Sequence, residues 1–181
     1  MNDSPLRLFV ALPVPAGFVA RLSSLPRKGL DARWNHDDDL HITLRFLGDL
    51  PSESTPAIEK ALTRVRRPPF YVEVGGLGVF ENRRQSVLYV RVDSTRKMTA
   101  LCGDITDELT PLGFDFGMRP FVPHITLARL NSSRGLSQYI EKNSENVSGR
   151  WEAGSFSLMR SGAADVAGRR YAILSHYPLL S

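Results

Sequence analysis

The spacing of apolar residues changes repeatedly along this chain, and each change marks a new element. Leu6-Arg7-Leu8-Phe9-Val10-Ala11-Leu12 reads as a strand,. Pro15 suits the first turn of a helix whose apolar face is Phe18, Leu22 and Leu25, with Gly29 after it,. Ala32-Arg33-Trp34 and Leu40 to Leu47 predict two further strands. Ser54-Thr55-Pro56 reads as a cap followed by an N-terminal proline. It opens a helix with Ile58, Ala61, Leu62 and Val65 on one face, and Pro68-Pro69 closes it. Phe70 to Val74 is extended, and Gly75-Gly76-Leu77-Gly78 predicts a turn,.

The order then repeats. Val87 to Val92 alternates as a strand should,. Asp93 or Ser94 caps the clearest helix, which lines up Met98, Leu101, Ile105, Leu109 and Leu112 and ends at Gly113,. Phe121 to Leu130 reads as a strand and Leu136 to Lys142 as a helix. Trp151 to Arg160 and Tyr171 to Leu179 are strands around a glycine-containing loop. Each half therefore reads strand, helix, strand, helix, strand, with no linker between them. Residues 1–181 are expected to form a single two-lobed domain with a cleft between pseudo-symmetric halves.

Composition narrows the picture only a little. A chain of 181 residues builds a core without disulfides, and its single cysteine excludes an internal disulfide,. Cys102 falls within a helical pattern and reads as a core residue rather than a nucleophile,. Met1 to Pro5 lacks a basic stretch, and Leu8 to Leu12 is too short for a signal or a membrane span, which points to the cytoplasm and to no membrane partner,. The net charge of +4 suits a polyanion such as RNA, but ordinary surface charge explains it equally well,.

The chemistry lies in a duplicated tetrapeptide, His41-Ile42-Thr43-Leu44 and His124-Ile125-Thr126-Leu127. Because strand side chains alternate, each copy presents an imidazole and a hydroxyl on one face and two aliphatic anchors on the other. One His-x-Thr is common by chance; two in corresponding strands of similar halves are not. Displacement at phosphorus needs a base for the entering oxygen and an acid for the leaving one, and histidine serves either role near neutral pH. The threonine hydroxyls can hold the non-bridging oxygens. A strained 2′,3′-cyclic phosphate with a tethered leaving oxygen suits such a site.

These segments resemble the RNA 2′,3′-cyclic phosphodiesterase (2′-5′ RNA ligase) family of two-histidine phosphoesterases. The resemblance covers nearly the whole chain. It runs through Leu8 to Pro13, Trp34 ahead of Leu40 to Gly48, Gly76 to Phe80, Gly113-Phe114, Phe121 to Arg129, and the closing Ser161, Gly168, Tyr171 and Leu174. It implies a bilobal α+β fold of mostly antiparallel sheets with flanking helices, the two His-x-Thr strands lining a central cleft. It also implies cofactor-free and metal-free hydrolysis of RNA ends, or related nucleotides, to 2′-phosphates; separately, the chain is expected to be a monomer. His41 would be the proton donor and His124 the acceptor, although a near-symmetric site could run either way. The resemblance further makes Arg129 a phosphate contact and Phe46 a contact to base or ribose. Strict alternation instead places Arg45 and Ala128 beside the histidines, so either the strands bulge or those contacts are overstated.

Three rivals stand beside this reading. His36, Asp37, Asp38, Asp39 and His41 could form a metal cluster, although three carboxylates between strands more often make a solvated loop,. A sensor without chemistry would bind the same RNA ends. Joining RNA halves through a 2′-5′ bond would use the same residues, with an RNA hydroxyl replacing water. His36 and His176 have no assigned role.

Overall fold

The apolar runs become strands and helices in the expected order, in a computed structural model that describes residues 5–81, 85–93, 95–117 and 120–180. The first part of the chain forms β1 (Leu6–Pro13), α1 (Ala16–Ser23), β2 (Ala32–Trp34), β3 (His41–Leu50), α2 (Thr55–Leu62) and β4 (Phe70–Phe80). The second forms β5 (Ser86–Val92), α3 (Arg96–Leu109), β6 (His124–Leu130), α4 (Leu136–Asn143), β7 (Gly149–Ala153), β8 (Ser155–Ser161) and β9 (Tyr171–Pro178). The described strands join in one sheet of order β7-β4-β5-β6-β3-β1-β8-β9, with β2 added to β6. Their pairings are antiparallel, which bears out the α+β class.

The sheet has two wings, β9-β8-β1-β3 and β6-β5-β4-β7, that meet where Ile42 faces Ile125 across β3 and β6. The wings are not the two halves of the sequence. β4 follows α2 yet pairs with β5, and β8 follows α4 yet pairs with β1. Each half thus completes its hydrogen bonds on a strand supplied by the other. The short link from β4 to β5 favours this, because antiparallel neighbours need only a hairpin between them. α3 lays Met98, Leu101, Ile105 and Leu109 into a core shared with Ile42, Leu88 and Ile125. Leu112, expected on that face, is exposed.

Several local expectations need correction. The glycine cluster is not a turn: β4 runs straight through it, with a register shift between Val74 and Leu77. Gly76 supplies the left-handed residue that this bulge needs (φ +77°),. A Cβ on Gly78 would lie 2.6 Å from the Tyr89 ring, so this glycine makes room for that side chain. Thr95, rather than Asp93, caps α3; its hydroxyl accepts the Met98 N–H at 3.2 Å. Ser94 and residues 1–4 lie outside the described residues. Ser54 is already helical and makes no capping bond, because a 3₁₀ turn at Ser52–Ser54 leads directly into α2. The run from Trp151 to Arg160 divides at Gly154 into β7 and β8. Cys102 is buried in the core, and burial pushes its thiol up to about 12, which leaves it inert at neutral pH,.

Candidate active site

The two His-x-Thr strands are the adjoining edges of the two wings, so their non-core faces look into the same cleft. Ile42 and Ile125 are fully buried behind the sheet. His41, Thr43, His124 and Thr126 line a cavity of about 420 Å³ in front of it. Continuing the Ile42–Ile125 register by one residue sets His41 opposite Thr126 and Thr43 opposite His124,. Each imidazole therefore has its own threonine two residues along and the other strand's threonine across from it.

Both strands then break alternation at the same place. On β3, Val10 faces Arg45 but Ala11 faces Thr43, which leaves Leu44 without a partner. On β6, Leu88 faces Ala128 but Tyr89 faces Thr126, which leaves Leu127 without one. Each bulge inserts one residue and turns the strand by one face. Residues three beyond the threonines, Phe46 and Arg129, consequently line the cleft with the histidines. Ala128 is buried instead. Arg45 turns to the adjoining hollow, where its Nε donates to Thr106 Oγ1 at 2.8 Å and its guanidinium lies over Phe116.

Each histidine is held from two directions. Nδ1–H of His41 donates to the Asp39 carbonyl at 2.7 Å, and Nδ1–H of His124 donates to the Val122 carbonyl at 2.8 Å. A carbonyl can only accept, so both bonds fix the proton on Nδ1 and leave Nε2 for the cleft. Nε2 of His41 accepts from the Thr43 hydroxyl at 3.1 Å. Two aromatic rings grip each imidazole: Phe9 and Tyr171 at 4.8 and 5.0 Å from His41, Phe80 and Tyr89 at 4.8 and 5.5 Å from His124. Phe80 and Tyr89 also stack on each other at 4.1 Å.

Burial among these rings disfavours the charged form of both imidazoles. It lowers His41 from 6.5 to about 4; its bond to Asp39 opposes the shift and repulsion from His124 adds to it. Burial also lowers His124, against the bond to Val122. The mutual repulsion means that a proton on one ring resists a proton on the other. The pair is thus suited to carry one proton, and an anion in the cleft would supply the charge that draws it in.

Sequence reasoning missed the aromatic grips, Asn35 and the buttress at Asp39. Asn35 lines the cleft and donates from Nδ2 to the Thr126 carbonyl at 3.0 Å, holding β6 where it bulges. Asp39 is almost completely buried, and its carboxylate accepts the backbone N–H of Arg170 and Tyr171 at 2.9 and 3.1 Å. Its carbonyl orients His41 while its side chain anchors the segment that brings Tyr171 onto the same ring. The acidic run therefore divides in purpose: Asp37 pairs with Arg27, and Asp39 is spent on backbone. His36 accepts the Asp38 N–H, and His176 bonds Ser157 on the far wing. Among the described residues, no three His, Cys, Asp or Glu side chains gather as a metal site requires.

Paired histidines on the joined edges of two wings, each with a threonine beside it, face one cleft, the arrangement expected of a two-histidine phosphoesterase. The chain belongs to the 2′-5′ RNA ligase superfamily, whose family model matches residues 13–165. It is 31% identical over 132 residues to the RNA 2′,3′-cyclic phosphodiesterase of Thermotoga maritima, covering 69% of this chain and 70% of that protein. It is 28% identical over 163 residues to the Archaeoglobus fulgidus protein of the same name, covering 86% and 91%. A match of 34% identity to the Geobacillus stearothermophilus phosphodiesterase spans 67% of this chain and 41% of that protein's length. The fold is shared with Escherichia coli LigT, at a TM-score of 0.76 and 24% identity over 98% of this chain and 99% of that one. A Thermus thermophilus protein gives 0.75 and 25% over 96% and 97%.

Proposed function

We propose that this chain hydrolyses RNA 2′,3′-cyclic phosphate ends to 2′-phosphates by acid–base catalysis between His41 and His124. The observation that carries this reading is that both imidazoles are fixed through Nδ1 to backbone carbonyls, leaving both Nε2 atoms for one shared cleft. A water oxygen attacks phosphorus and gives its proton to His124. The bond to the 3′ oxygen breaks, and that oxygen takes a proton from His41. Thr43, Thr126 and Arg129 hold the non-bridging oxygens as charge builds on them. Phe46, at 66% exposure, offers its face to the base or ribose, and Arg45 adds positive potential at that end,.

No step calls for a metal, because the side chains supply the acid, the base and the charge stabilisation. The reverse reaction, with an RNA hydroxyl in place of water, would join ends through a 2′-5′ bond; hydrolysis dominates because water is abundant. The chain acts as a cytoplasmic monomer and as one two-lobed unit. Among the described residues no helix is long and apolar enough to cross a membrane.

The test is mass analysis of the product from a 2′,3′-cyclic-phosphate oligonucleotide incubated with EDTA. A gain of one water, with the phosphate on the 2′ oxygen, is expected. Loss of turnover with chelator would reverse the metal assignment, and a 3′-phosphate product would reverse the assignment of the leaving oxygen. Binding without turnover would favour a sensor.

A further inference from the structure

The catalytic cavity does not end at the histidines. Beyond Asn35, Asp39, Arg129 and Tyr171 it continues into a second cavity of about 260 Å³, between β2 and the segment before β9, walled by Arg33, Arg129 and Arg170. Arg33 and Arg129 are direct cross-strand partners on β2 and β6. Like charges set opposite each other in a sheet repel, an arrangement that wants an anion between them. Arg170 comes from across the cavity, held by its own backbone N–H on the Asp39 carboxylate at 2.9 Å.

The contrast with arginines elsewhere is informative. Arg27, Arg64, Arg67 and Arg169 are each neutralised by a carboxylate. Among the described residues, none of the three guanidiniums around the second cavity has such a partner. The carboxylate in that wall, Asp39, is directed to backbone N–H groups. Three unpaired cations, two of them (Arg129 and Arg170) shared with the reaction site and Arg33 confined to the second cavity, form a receptor for a second phosphate at a short covalent distance from the first,.

We propose that this pocket holds the phosphodiester adjoining the terminal cyclic phosphate, so that the enzyme selects a polynucleotide end over a lone nucleoside 2′,3′-cyclic phosphate. The proposal rests on the cyclic-phosphate reading above. Arg33 reads the extra phosphate and takes no part at the reacting phosphorus. A charge-assisted contact of this kind is worth on the order of tenfold.

The experiment compares kcat/KM for three substrates: a nucleoside 2′,3′-cyclic phosphate, a dinucleotide ending in the same group, and that dinucleotide with a neutral methylphosphonate linkage. The charged dinucleotide should exceed both others by about tenfold. Arg33→Gln should erase that advantage, leave mononucleotide turnover unchanged, and melt no lower than wild type, because it relieves the repulsion with Arg129. Equal values for all three substrates, or an Arg33→Gln loss shared by mononucleotide and dinucleotide, would overturn the pocket. Calorimetric affinity for dinucleotide and mononucleotide 2′-phosphates tests it without turnover. Absence of turnover with a preserved tenfold affinity difference would therefore sink the hydrolase reading and keep the pocket; no affinity difference would sink the pocket.

Discussion

The two histidine strands are built alike but seated differently. Each has the same tetrapeptide, a bulge at its leucine, a carbonyl two residues back that fixes Nδ1, and two aromatic rings around the imidazole. At His41 the carbonyl belongs to Asp39, which is buried and bonded to the backbone before β9. At His124 it belongs to Val122, which is half exposed at 52%. The bulge brings a neutral ring, Phe46, beside His41 and a cation, Arg129, beside His124. The duplicated tetrapeptide thus places two like imidazoles in unlike surroundings, which is the ground for assigning them different roles in the proposed reaction. His41 sits in the more rigid seat, and Arg129 places positive charge on the His124 side.

Removing either imidazole should give the largest effect. His41→Ala and His124→Ala are each expected to lower kcat on the order of 10²–10⁴-fold, the usual range for general acid–base groups. Losses under tenfold in both would mean that other residues do the chemistry. A substrate with sulfur at the bridging 3′ position separates the roles, because a thiolate leaves without a proton. It should restore much of the rate to His41→Ala and little to His124→Ala; the opposite pattern would exchange acid and base.

The pH profile tests the pair as a unit. In the free enzyme burial holds both imidazoles below 6.5, with His41 at about 4. The proposed mechanism needs one proton on the pair, so raising the pH past those values should remove the acid. The alkaline limb of kcat/KM, which reports free enzyme, should therefore lie below pH 6.5 and approach a tenfold fall per unit. The limb of kcat should lie higher, because bound phosphate stabilises the imidazolium. Both limbs belong to the coupled pair rather than to single residues. A kcat/KM flat from pH 5 to 9 would break the acid–base account.

Gly78→Ala attacks one seat and spares the other. Its Cβ would stand 2.6 Å from Tyr89, whose ring is confined between Phe80 and His124. The ring must shift against both neighbours to make room, at a cost of up to about 3 kcal/mol, as for overpacking elsewhere. Melting should report that loss, and NMR shifts should move at His124 while those of His41 stay. Equal movement at both would show that the seats are not independent.

What the sequence revealed and what it hid follow from the range of the interactions involved. The two His-x-Thr faces were legible because alternation is local and Ile42 and Ile125 announce the buried side. Phe46 and Arg129 could be named only through the family resemblance, because a bulge adds a residue without a characteristic composition and Leu44 and Leu127 look like any strand leucine; alternation by itself pointed to Arg45 and Ala128. The aromatic grips were hidden for a different reason: Phe9, Tyr171, Phe80 and Tyr89 reach the imidazoles from four other strands. Asp39 looked like its two neighbours, and only its contact with a backbone 131 residues away distinguishes it. The exchange of β4 and β8 between wings was equally unreadable, since antiparallel pairing fixes no partner in advance.

The smallest expected effect concerns stability in acid, where the seat of His41 carries a cost. Its folded value near 4 lies below the ordinary 6.5, so between those pH values the unfolded chain binds the proton that the folded chain resists. Stability from this group is therefore complete above pH 6.5 and is lost as pH falls toward 4. The loss at pH 4.5 is about 2 kcal/mol by the size of the shift. His124 works in the same direction. Carboxylates titrate in this range too, so the informative quantity is the difference between wild type and His41→Gln, which has no proton to gain. Urea melts at pH 7 and 4.5 should show wild type losing about 2 kcal/mol more than the variant. Parallel losses would mean that water reaches His41 as freely as in the unfolded chain, and the rigid seat would then give no reason for the two histidines to differ.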